Sequence, residues 1–219
     1  MKPMAEKEAA TVMKKPRGSS TAFGFQLAVM GRTDAELRKL VGSKEIKKLD
    51  LWRTQVTDTG LKYVASLRQL QTLELGGTHI TNTGLKVLAS LQHLQTLDLQ
   101  WTRVTDAGLT HLASLRKLRT LNLAGTEVTA TGLKALAALE QLRTLDLAGT
   151  NLTTCGLEVL AGLKRLELLN LWGTRVTNSG IRSLAVLKQL RSLCVTGTRV
   201  TPNGVIALRK ALPELTITQ

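Results

Sequence analysis

The chain has 219 residues and a formal net charge of +14, and 43% of its residues are hydrophobic but only 3% aromatic. No stretch approaches the roughly 20 consecutive apolar residues that a helix needs to cross a bilayer, which argues against an integral membrane protein. Cys155 falls in a predicted loop and Cys194 in a predicted strand, so no disulfide between them is expected. Cytoplasmic residence is the simplest expectation, with a secreted effector as the alternative.

Two segments precede the regular part of the sequence. Residues 1–20 are charged and carry no apolar period, which predicts a mobile tail. Residues 21–36 predict an N-terminal cap built as a degenerate repeat, in which Phe25 and Leu27 fit the inward positions of a first strand. The five residues that start at Thr33, TDAEL, match the TDAGL motif of a later copy with glutamate in place of glycine.

The longest part of the chain, residues 37–204, is one unit copied in tandem. The copy that starts at Leu94 reads LQTLDLQWTRVTDAGLTHLASLRK, and the copy that starts at Leu118 reads LRTLNLAGTEVTATGLKALAALEQ, with no insertion between them. A fixed period of this length indicates a repeat architecture. Seven glycines mark the period of 24 residues: Gly60, Gly84, Gly108, Gly132, Gly156, Gly180 and Gly204.

Each copy has two parts with different apolar spacing. Leu97 and Leu99 alternate as in a strand, whereas Leu109, Leu112 and Leu115 are spaced by three, as on one face of a helix. One such unit cannot bury its leucines alone, so neighbouring units stack around a continuous core. The sequence therefore predicts an α/β solenoid with a curved parallel sheet on the concave face and helices on the convex face.

Local signals agree with this unit. Thr105 or Asp106 can cap the helix that begins near Gly108, because a short oxygen-bearing side chain accepts from the free N–H groups of a first turn. The repeated glycine serves either a tight backbone approach or a positive φ. Both readings are structural, since a property shared by all copies belongs to the scaffold.

Residues 205–219 follow the last repeat. Their sequence, VIALRKALPELTITQ, keeps the spacing of a helix and then of a final strand through Leu215 and Ile217. We expect this segment to close the stack as a C-terminal cap.

The consensus LxxLxLxxTxVTDxGLxxLxxL over residues 37–204 resembles the leucine-rich repeat, and its VTDxGL part is similar to the bacterial GALA-type and cysteine-containing subclasses. The resemblance implies a protein-interaction scaffold. It also implies a ladder of side-chain hydrogen bonds to backbone from a position that is Asn or Cys in the family. In this chain that position is threonine, which both donates and accepts: Thr54, Thr78, Thr102, Thr126, Thr150, Thr174 and Thr198.

One column of polar side chains alternates with the buried leucines of the strands and is predicted to face the concave surface. Stacked strands lie about 4.8 Å apart, so neighbouring carboxylates in this column can raise one another's pKa. The face is open, however, and we expect an exposed polar column that binds a partner rather than a catalytic site. Its members are Asp50, Glu74, Asp98, Asn122, Asp146, Asn170 and Cys194.

The tryptophans are the strongest candidates for partner contact. Each of the three falls just after a strand: Trp52, Trp101 and Trp172. Arg53 follows Trp52, and Gln100 precedes Trp101. Exposed tryptophan is typical of interface anchors, although each ring can instead lie flat on small neighbours. Because the three occupy repeats one, three and six, they are not expected to form one patch. A partner that touches all three would span about 24 Å, which favours an extended protein surface.

Charge separates the predicted surfaces. The concave sheet is acidic to neutral, whereas most basic residues fall in helix and outer-turn positions. This favours a basic or mixed protein partner inside the curve, with nucleic acid or another anionic surface on the basic outside as a third reading. Lys62, Lys86, Lys134, Arg182, Arg68, Arg116, Lys164 and Lys188 exemplify the outer positions.

No catalytic residue, cofactor or metal site is predicted. The three histidines occupy different positions of the repeat and cannot form a column of ligands, and no CxxC pair occurs. The leading function is a non-catalytic scaffold that binds a protein on its concave face. The alternative is a substrate-recognition subunit or effector of a ubiquitin-ligase-like assembly, although the F-box that precedes GALA-type repeats is not visible. Oligomeric state stays open.

Overall fold

The computed structural model describes residues 26–28 and 33–219. The predicted tail at residues 1–20 and the inward position of Phe25 lie outside the described residues. Within the described part, the chain repeats a strand, a turn and a helix, so the predicted α/β solenoid is confirmed.

Nine short parallel strands form one sheet in the described residues, in the order of the sequence. The register advances by one repeat per strand, so that Leu49 pairs with Leu73 and Leu73 with Leu97. Three residues per strand suffice because each strand only has to cross the concave face. The strands are β1 (Gln26–Ala28), β2 (Lys48–Asp50), β3 (Thr72–Glu74), β4 (Thr96–Asp98), β5 (Thr120–Asn122), β6 (Thr144–Asp146), β7 (Leu168–Asn170), β8 (Ser192–Cys194) and β9 (Thr216–Thr218).

The convex side of the described chain is helical, with α-helices early and more 3₁₀ turns later. The α-helices are α1 (Asp34–Leu37), α2 (Asp58–Val64), α3 (Asn82–Leu88), α4 (Asp106–Leu112), α5 (Ala130–Leu133), α6 (Asn178–Arg182) and α7 (Pro202–Ala211). The 3₁₀ segments are Arg38–Leu40, Lys134–Ala138, Thr154–Gly162 and Ser183–Val186. No helix in the described ranges combines the length and apolarity needed to cross a membrane.

The core is a continuous column of leucine between sheet and helices. Leu97 and Leu99 of the fourth strand region and Leu109, Leu112 and Leu115 of the following helix region are all completely buried. Fully burying one leucine stabilises the fold by about 2 kcal/mol, and the pattern recurs in every repeat. The sheet and helix spacings read from the sequence therefore point to the same core.

The repeated glycine allows adjacent repeats to touch. A methyl group at Gly84 would lie 2.5 Å from Oδ1 of Asp58, and one at Gly108 would lie 2.5 Å from Oδ1 of Asn82. Neither glycine has a positive φ, so the tight approach is the correct reading of the two. The carboxylate or amide at the start of one helix thus packs directly on the next helix.

That same side chain bonds to the next repeat. Oδ1 of Asp58 accepts from the amide of Thr81 at 2.9 Å, and Oδ2 accepts from the Thr81 hydroxyl at 2.5 Å. Asp106 makes the same two bonds to Thr129. These paired bonds, which we call the inter-repeat ladder, join residues one helix apart. Equivalent pairs join Asp34 to Thr57, Asn82 to Thr105 and Asn178 to Thr201.

The ladder also decides whether the threonine caps its helix. Where the partner is aspartate, the threonine donates its proton and its oxygen accepts from the amide two residues on, as Thr81 does from Thr83. Where the partner is asparagine, the amide donates to the hydroxyl instead, and Thr105 makes no such cap bond. The capping expected of Thr105 is therefore wrong, and its hydroxyl serves the contact between repeats.

The ladder has one gap. Ala130 occupies the place of the aspartate and offers no acceptor to Thr153, which is exposed. The next step is a single contact between the hydroxyls of Thr154 and Thr177 at 2.9 Å. The helical segment that follows Thr153 is 3₁₀ throughout, over Thr154–Gly162.

The threonine at the family's Asn or Cys position bonds within its own repeat. Thr102 Oγ1 donates to the carbonyl of Leu99 at 2.6 Å, three residues earlier, and Thr78 does the same to Leu75. All seven threonines make this bond, and six of them are buried. The expected bonds to backbone are present, and each satisfies a buried hydroxyl locally.

The described sheet begins with β1 and ends with β9. Leu27 of β1 pairs with Leu49, which is buried, and Leu37 of α1 is fully buried. At the other end, Leu215 and Ile217 are buried, and Ile217 lies in the expected final strand. The boundaries of the two caps at 21–36 and 205–219 stay predictions.

Restoring the missing step of the ladder is expected to stabilise the protein. In Ala130→Asp, the new carboxylate can accept from the amide and hydroxyl of Thr153, and it lies at a helix N-terminus that favours negative charge. We expect the free energy of unfolding to rise by about 1 kcal/mol in urea titrations. Ala137→Asp, at an exposed position away from the ladder, is the control; an equal gain there would show that charge alone is responsible.

Candidate interaction surface

Side chains of the polar column accept hydrogen bonds from the turns that follow the strands. Asp98 Oδ1 accepts from the amide of Gln100 at 2.9 Å, and Asn122 Oδ1 accepts from that of Ala124 at 3.0 Å. Such bonds from Asp or Asn to the backbone two residues on define a local turn. The same bond recurs from Asp50 to Trp52, from Asp146 to Ala148 and from Asn170 to Trp172.

The expectation of an exposed polar column is wrong for three of its members. Asp98 is 5% exposed and Asp146 is 7% exposed, and Cys194 is also buried. Asp50, Glu74, Asn122 and Asn170 are half-buried. Because the short side chains fold back onto the turns, they offer little surface to a partner. The column positions the residues that follow it.

Asp146 is the carboxylate that this arrangement perturbs. Burial raises the pKa of Asp146 above the ordinary aspartate value, while the bonds from Ala148 N–H and from Nδ2 of Asn170, at 3.1 Å, lower it less. The neighbours of Asp146 in the column are Asn122 and Asn170, which carry no charge. The cause is therefore desolvation, and the expected effect of adjacent carboxylates does not apply at this position.

The turns after β2 to β8 each contain one residue in the left-handed backbone conformation. Five repeats place glycine there, with φ between 64° and 69°, whereas two place a side chain: Arg53 at φ 54° and Trp101 at φ 55°. A side chain in this conformation costs roughly 1–2 kcal/mol compared with glycine's freedom to adopt it. The chain accepts that cost at two positions of one edge, on either side of Gly77.

Trp101 is the most exposed large apolar residue among the described residues, at 66%. Its ring lies against the backbone of the next repeat, since a methyl group at Gly125 would be 2.6 Å from Cζ3 and 2.7 Å from Cδ2. The expected flat packing on small neighbours thus exists on the Gly125 side. The opposite face of the ring accounts for the exposure.

Trp52, Arg53 and Gln100 continue the surface that begins at Trp101. A methyl group at Gly76 would lie 2.8 Å from Cδ1 of Trp52 and 2.7 Å from Cγ of Gln100, so these two side chains meet over the glycine. The Arg53 guanidinium lies 4.3 Å from the centre of the Trp52 ring, a cation–π contact. We call the surface of Trp52, Arg53, Gln100 and Trp101 the tryptophan edge.

The three tryptophans do not all lie on one surface. Trp52 and Trp101 follow strands that are two spacings, or about 10 Å, apart, and Gln100, which precedes Trp101, meets Trp52 over Gly76. Trp172 lies three repeats further on and is half-buried, with Nε1 4.0 Å from the point where Gly197 would carry a side chain. Trp172 is outside the tryptophan edge.

Part of this geometry has a sequence signal that the apolar spacing does not reveal. The column Arg53, Gly77, Trp101, Gly125, Gly149, Gly173 and Gly197 is glycine in five copies of seven, which is the signature of a left-handed turn position. The directions of the rings have no such signal. They depend on Gly76 and Gly125, whose missing side chains leave room for them.

Metal and thiol chemistry have no evident place at this surface. Within the described ranges, no three His, Cys, Asp or Glu side chains come together in a way that could hold a metal ion. Cys155 is exposed and Cys194 buried, and both are free thiols. The arrangement offers apolar area, one guanidinium and polar turn groups, which suit recognition of another molecule.

Family comparison agrees with the repeat pattern. Residues 116–176 match one model described as leucine rich repeat, and residues 66–89 and 90–113 each match a second model of the same description. No curated protein matches the sequence.

Solved structures share the fold. An internalin of Listeria monocytogenes is 20% identical with a TM-score of 0.63, over 84% of this chain and 56% of its own. A leucine-rich repeat protein of Leptospira interrogans is 20% identical with a TM-score of 0.60, over 80% of this chain and 55% of its own. The chain thus spans a little over half the length of these two. An internalin C2 of L. monocytogenes is 27% identical with a TM-score of 0.56, over 84% of both chains.

Asp146→Asn is expected to stabilise the protein at neutral pH. Because the folded-state pKa of Asp146 is raised, its ionisation favours unfolding. The stability from the protonated form is fully present below the unfolded-state pKa and is lost as pH rises through the folded-state value. Asparagine keeps the bond to Ala148, as Asn122 does to Ala124, without the charge, but it gives up the bond from Nδ2 of Asn170, which offsets part of the gain.

Urea denaturation from pH 7 down to pH 3 measures this effect. The advantage of the variant is expected at pH 7 and should shrink as pH falls through the raised pKa of Asp146. Glu158→Gln, which removes a carboxylate from an exposed site, is the control. An advantage for Asp146→Asn that is absent at pH 7, or that grows on acidification, would contradict the assignment.

Proposed function

The chain is a leucine-rich repeat protein, and we propose that it binds another protein, with the tryptophan edge as the anchor of the interface. A protein partner suits the surface because the anchors are spread over three repeats and lie on a rim of the concave face. Interfaces take most of their binding free energy from a few large side chains, with Trp and Arg prominent among them. The tryptophan edge contains two Trp and one Arg.

Trp101 carries the proposal. It combines 66% exposure with a left-handed backbone, although glycine occupies the same place in five repeats. Leaving so large an apolar ring in water gives up the free energy that its burial would contribute, about 2 to 3 kcal/mol. Two unfavourable features at one residue are expected where a partner covers the ring.

A purely structural role explains Trp101 less well. The repeats with Gly149, Gly173 and Gly197 form the same turn without a ring at that position. Nor does the ring fill a cavity, since it lies on the outside of the backbone of Gly125. The stack is therefore complete without the tryptophan, and recognition is the remaining use for it.

The edge also suggests what the partner presents. Arg53 holds a positive charge over the Trp52 ring, next to turns whose carboxylates are already bonded to backbone. A partner with an apolar or aromatic segment for Trp101 and an acceptor group for Arg53 would complement the edge. The GALA-type subclass and cytoplasmic residence stay predictions from the sequence.

Trp101→Gly separates binding from folding. The variant restores the residue that five repeats use, so the free energy of unfolding should change by less than about 1 kcal/mol, because relief of the left-handed strain offsets the lost contact and the added chain entropy. Binding should fall by at least thirtyfold, which corresponds to the 2 kcal/mol of an interface anchor. Urea titration measures the first quantity and titration of the purified partner the second.

The partner is found by quantitative capture from native lysate with wild type, Trp101→Gly and Ile206→Ser. Ile206 is 53% exposed on α7, away from the tryptophan edge, and controls for general stickiness of apolar surface. A partner should be retained by wild type and Ile206→Ser and lost with Trp101→Gly. Capture of the same proteins by all three, or equal losses in both variants, would contradict the proposed function.

A further inference from the structure

The edge opposite the tryptophans is strongly basic. Three positions of each repeat lie just before the strand, at this edge. They are the last two residues of the helix-to-strand turn and the second residue of the repeat that follows. Glu140 and Glu167 are the acidic residues at these positions of the described repeats. The basic ones, all exposed, are ten: Lys47, Arg68, Arg116, Lys117, Arg119, Arg143, Lys164, Arg165, Lys188 and Arg191. We call this surface the basic edge.

The negative ends of the helices offset part of this positive charge but not all of it. Helices of the solenoid end at the basic edge, and each C-terminus carries about half a negative charge from its free carbonyl groups. Seven repeats would thus offset roughly three to four of the eight net positive charges. A positive potential remains along the edge, where the sheet spacing extends it over roughly 29 Å.

Some of the basic side chains are occupied by structural contacts. Arg143 pairs with Glu167 at 2.7 Å, and Arg68 donates to the carbonyl of Ser90 at 3.1 Å. Lys188 reaches the carbonyl of Ala211 at 3.3 Å. These contacts join neighbouring repeats and explain why basic residues are tolerated at some of the positions.

The centre of the basic edge has no such explanation. Arg116, Lys117 and Arg119 lie side by side at the junction of two repeats and are exposed. Within the described part of the chain, no hydrogen bond or ion pair engages their side chains. Three adjacent like charges repel one another unless an anion lies between them.

We propose that the basic edge binds the phosphate backbone of a nucleic-acid duplex, independently of base sequence. Rows of Lys and Arg that neutralise phosphates supply this kind of affinity. A duplex fits better than a single strand because the edge positions carry no Trp, Tyr or Phe side chain on which unpaired bases could stack, and His93 is the one imidazole among these positions of the described repeats. Seven repeats would follow about eight base pairs at 3.4 Å each.

This inference is separate from the proposed function. The basic edge precedes the strands, whereas the tryptophan edge follows them, so a three-residue strand lies between the two surfaces in each repeat. Both could be occupied at once. Trp101→Gly should therefore leave duplex binding unchanged, and loss of duplex binding in that variant would contradict the separation.

A 24-bp duplex DNA labelled with a fluorophore tests the proposal by anisotropy between 50 and 200 mM salt, with the full chain. The variant Arg116→Gln, Lys117→Gln, Arg119→Gln removes the centre of the basic edge. Its control, Lys62→Gln, Lys86→Gln, Lys134→Gln, removes the same charge from exposed positions of the convex helices. Thermal unfolding of both variants confirms that each remains folded.

The proposal predicts that the slope of log K against log salt becomes shallower by about 2.7 in the edge variant, since three phosphate contacts are lost at about 0.9 each. Affinity at 0.1 M salt should fall at least tenfold in the edge variant and less than threefold in the control. Equal losses in the two variants would assign binding to total charge and overturn the proposal. So would absence of duplex binding at 0.1 M salt, or tighter binding to vesicles of 30% anionic lipid.

Discussion

The fold depends on the contact by which the first residue of one helix bonds to the threonine of the next repeat. One aspartate or asparagine accepts from a backbone amide and pairs with a hydroxyl, while the glycine beyond it lets the two helices touch, as Asp58, Thr81 and Gly84 do. Because the contact is satisfied at one separation only, it favours a constant register, which strand pairing also keeps across the gap at Ala130. The leucine core and the short strands then follow, since each strand only pairs with neighbours placed for it.

A scaffold held so regularly makes departures from the pattern informative. The left-handed turn position is solved by glycine in five repeats and by Arg53 and Trp101 in the others. Those two residues fall on the same edge and share it with Trp52 across Gly76. Local strain and exposed apolar area are unfavourable for folding, so their coincidence points to binding. The basic edge departs in another way, because its charge at Arg116, Lys117 and Arg119 exceeds what the stack uses.

The sequence allowed prediction of the features that repetition fixes. Strand and helix spacings predicted the solenoid, and the alternation of Leu97 and Leu99 predicted which side chains leave the core. It did not predict that Asp98 folds back onto its own turn, because spacing gives the face of a residue and not the nearest donor. The meeting of Trp52 and Gln100 over Gly76 was missed because ring directions depend on tertiary room, here above glycine. Two signals in the sequence help to predict that Asp98 folds back onto its turn. They are the tendency of Asp and Asn side chains to bond to the backbone two residues on, and the glycine-rich turn column.

Native-state hydrogen exchange at the ladder amides tests whether the inter-repeat ladder holds the repeats together. Exchange by NMR reports the opening free energy of each amide in the intact protein. We expect strong protection at the amides of Thr81, Thr105 and Thr129, which bond to the preceding repeat. We expect much faster exchange at the amide of Thr153, which faces Ala130. Equal protection at all four amides would show that the repeats are held together by core packing alone and would contradict a role for the inter-repeat ladder.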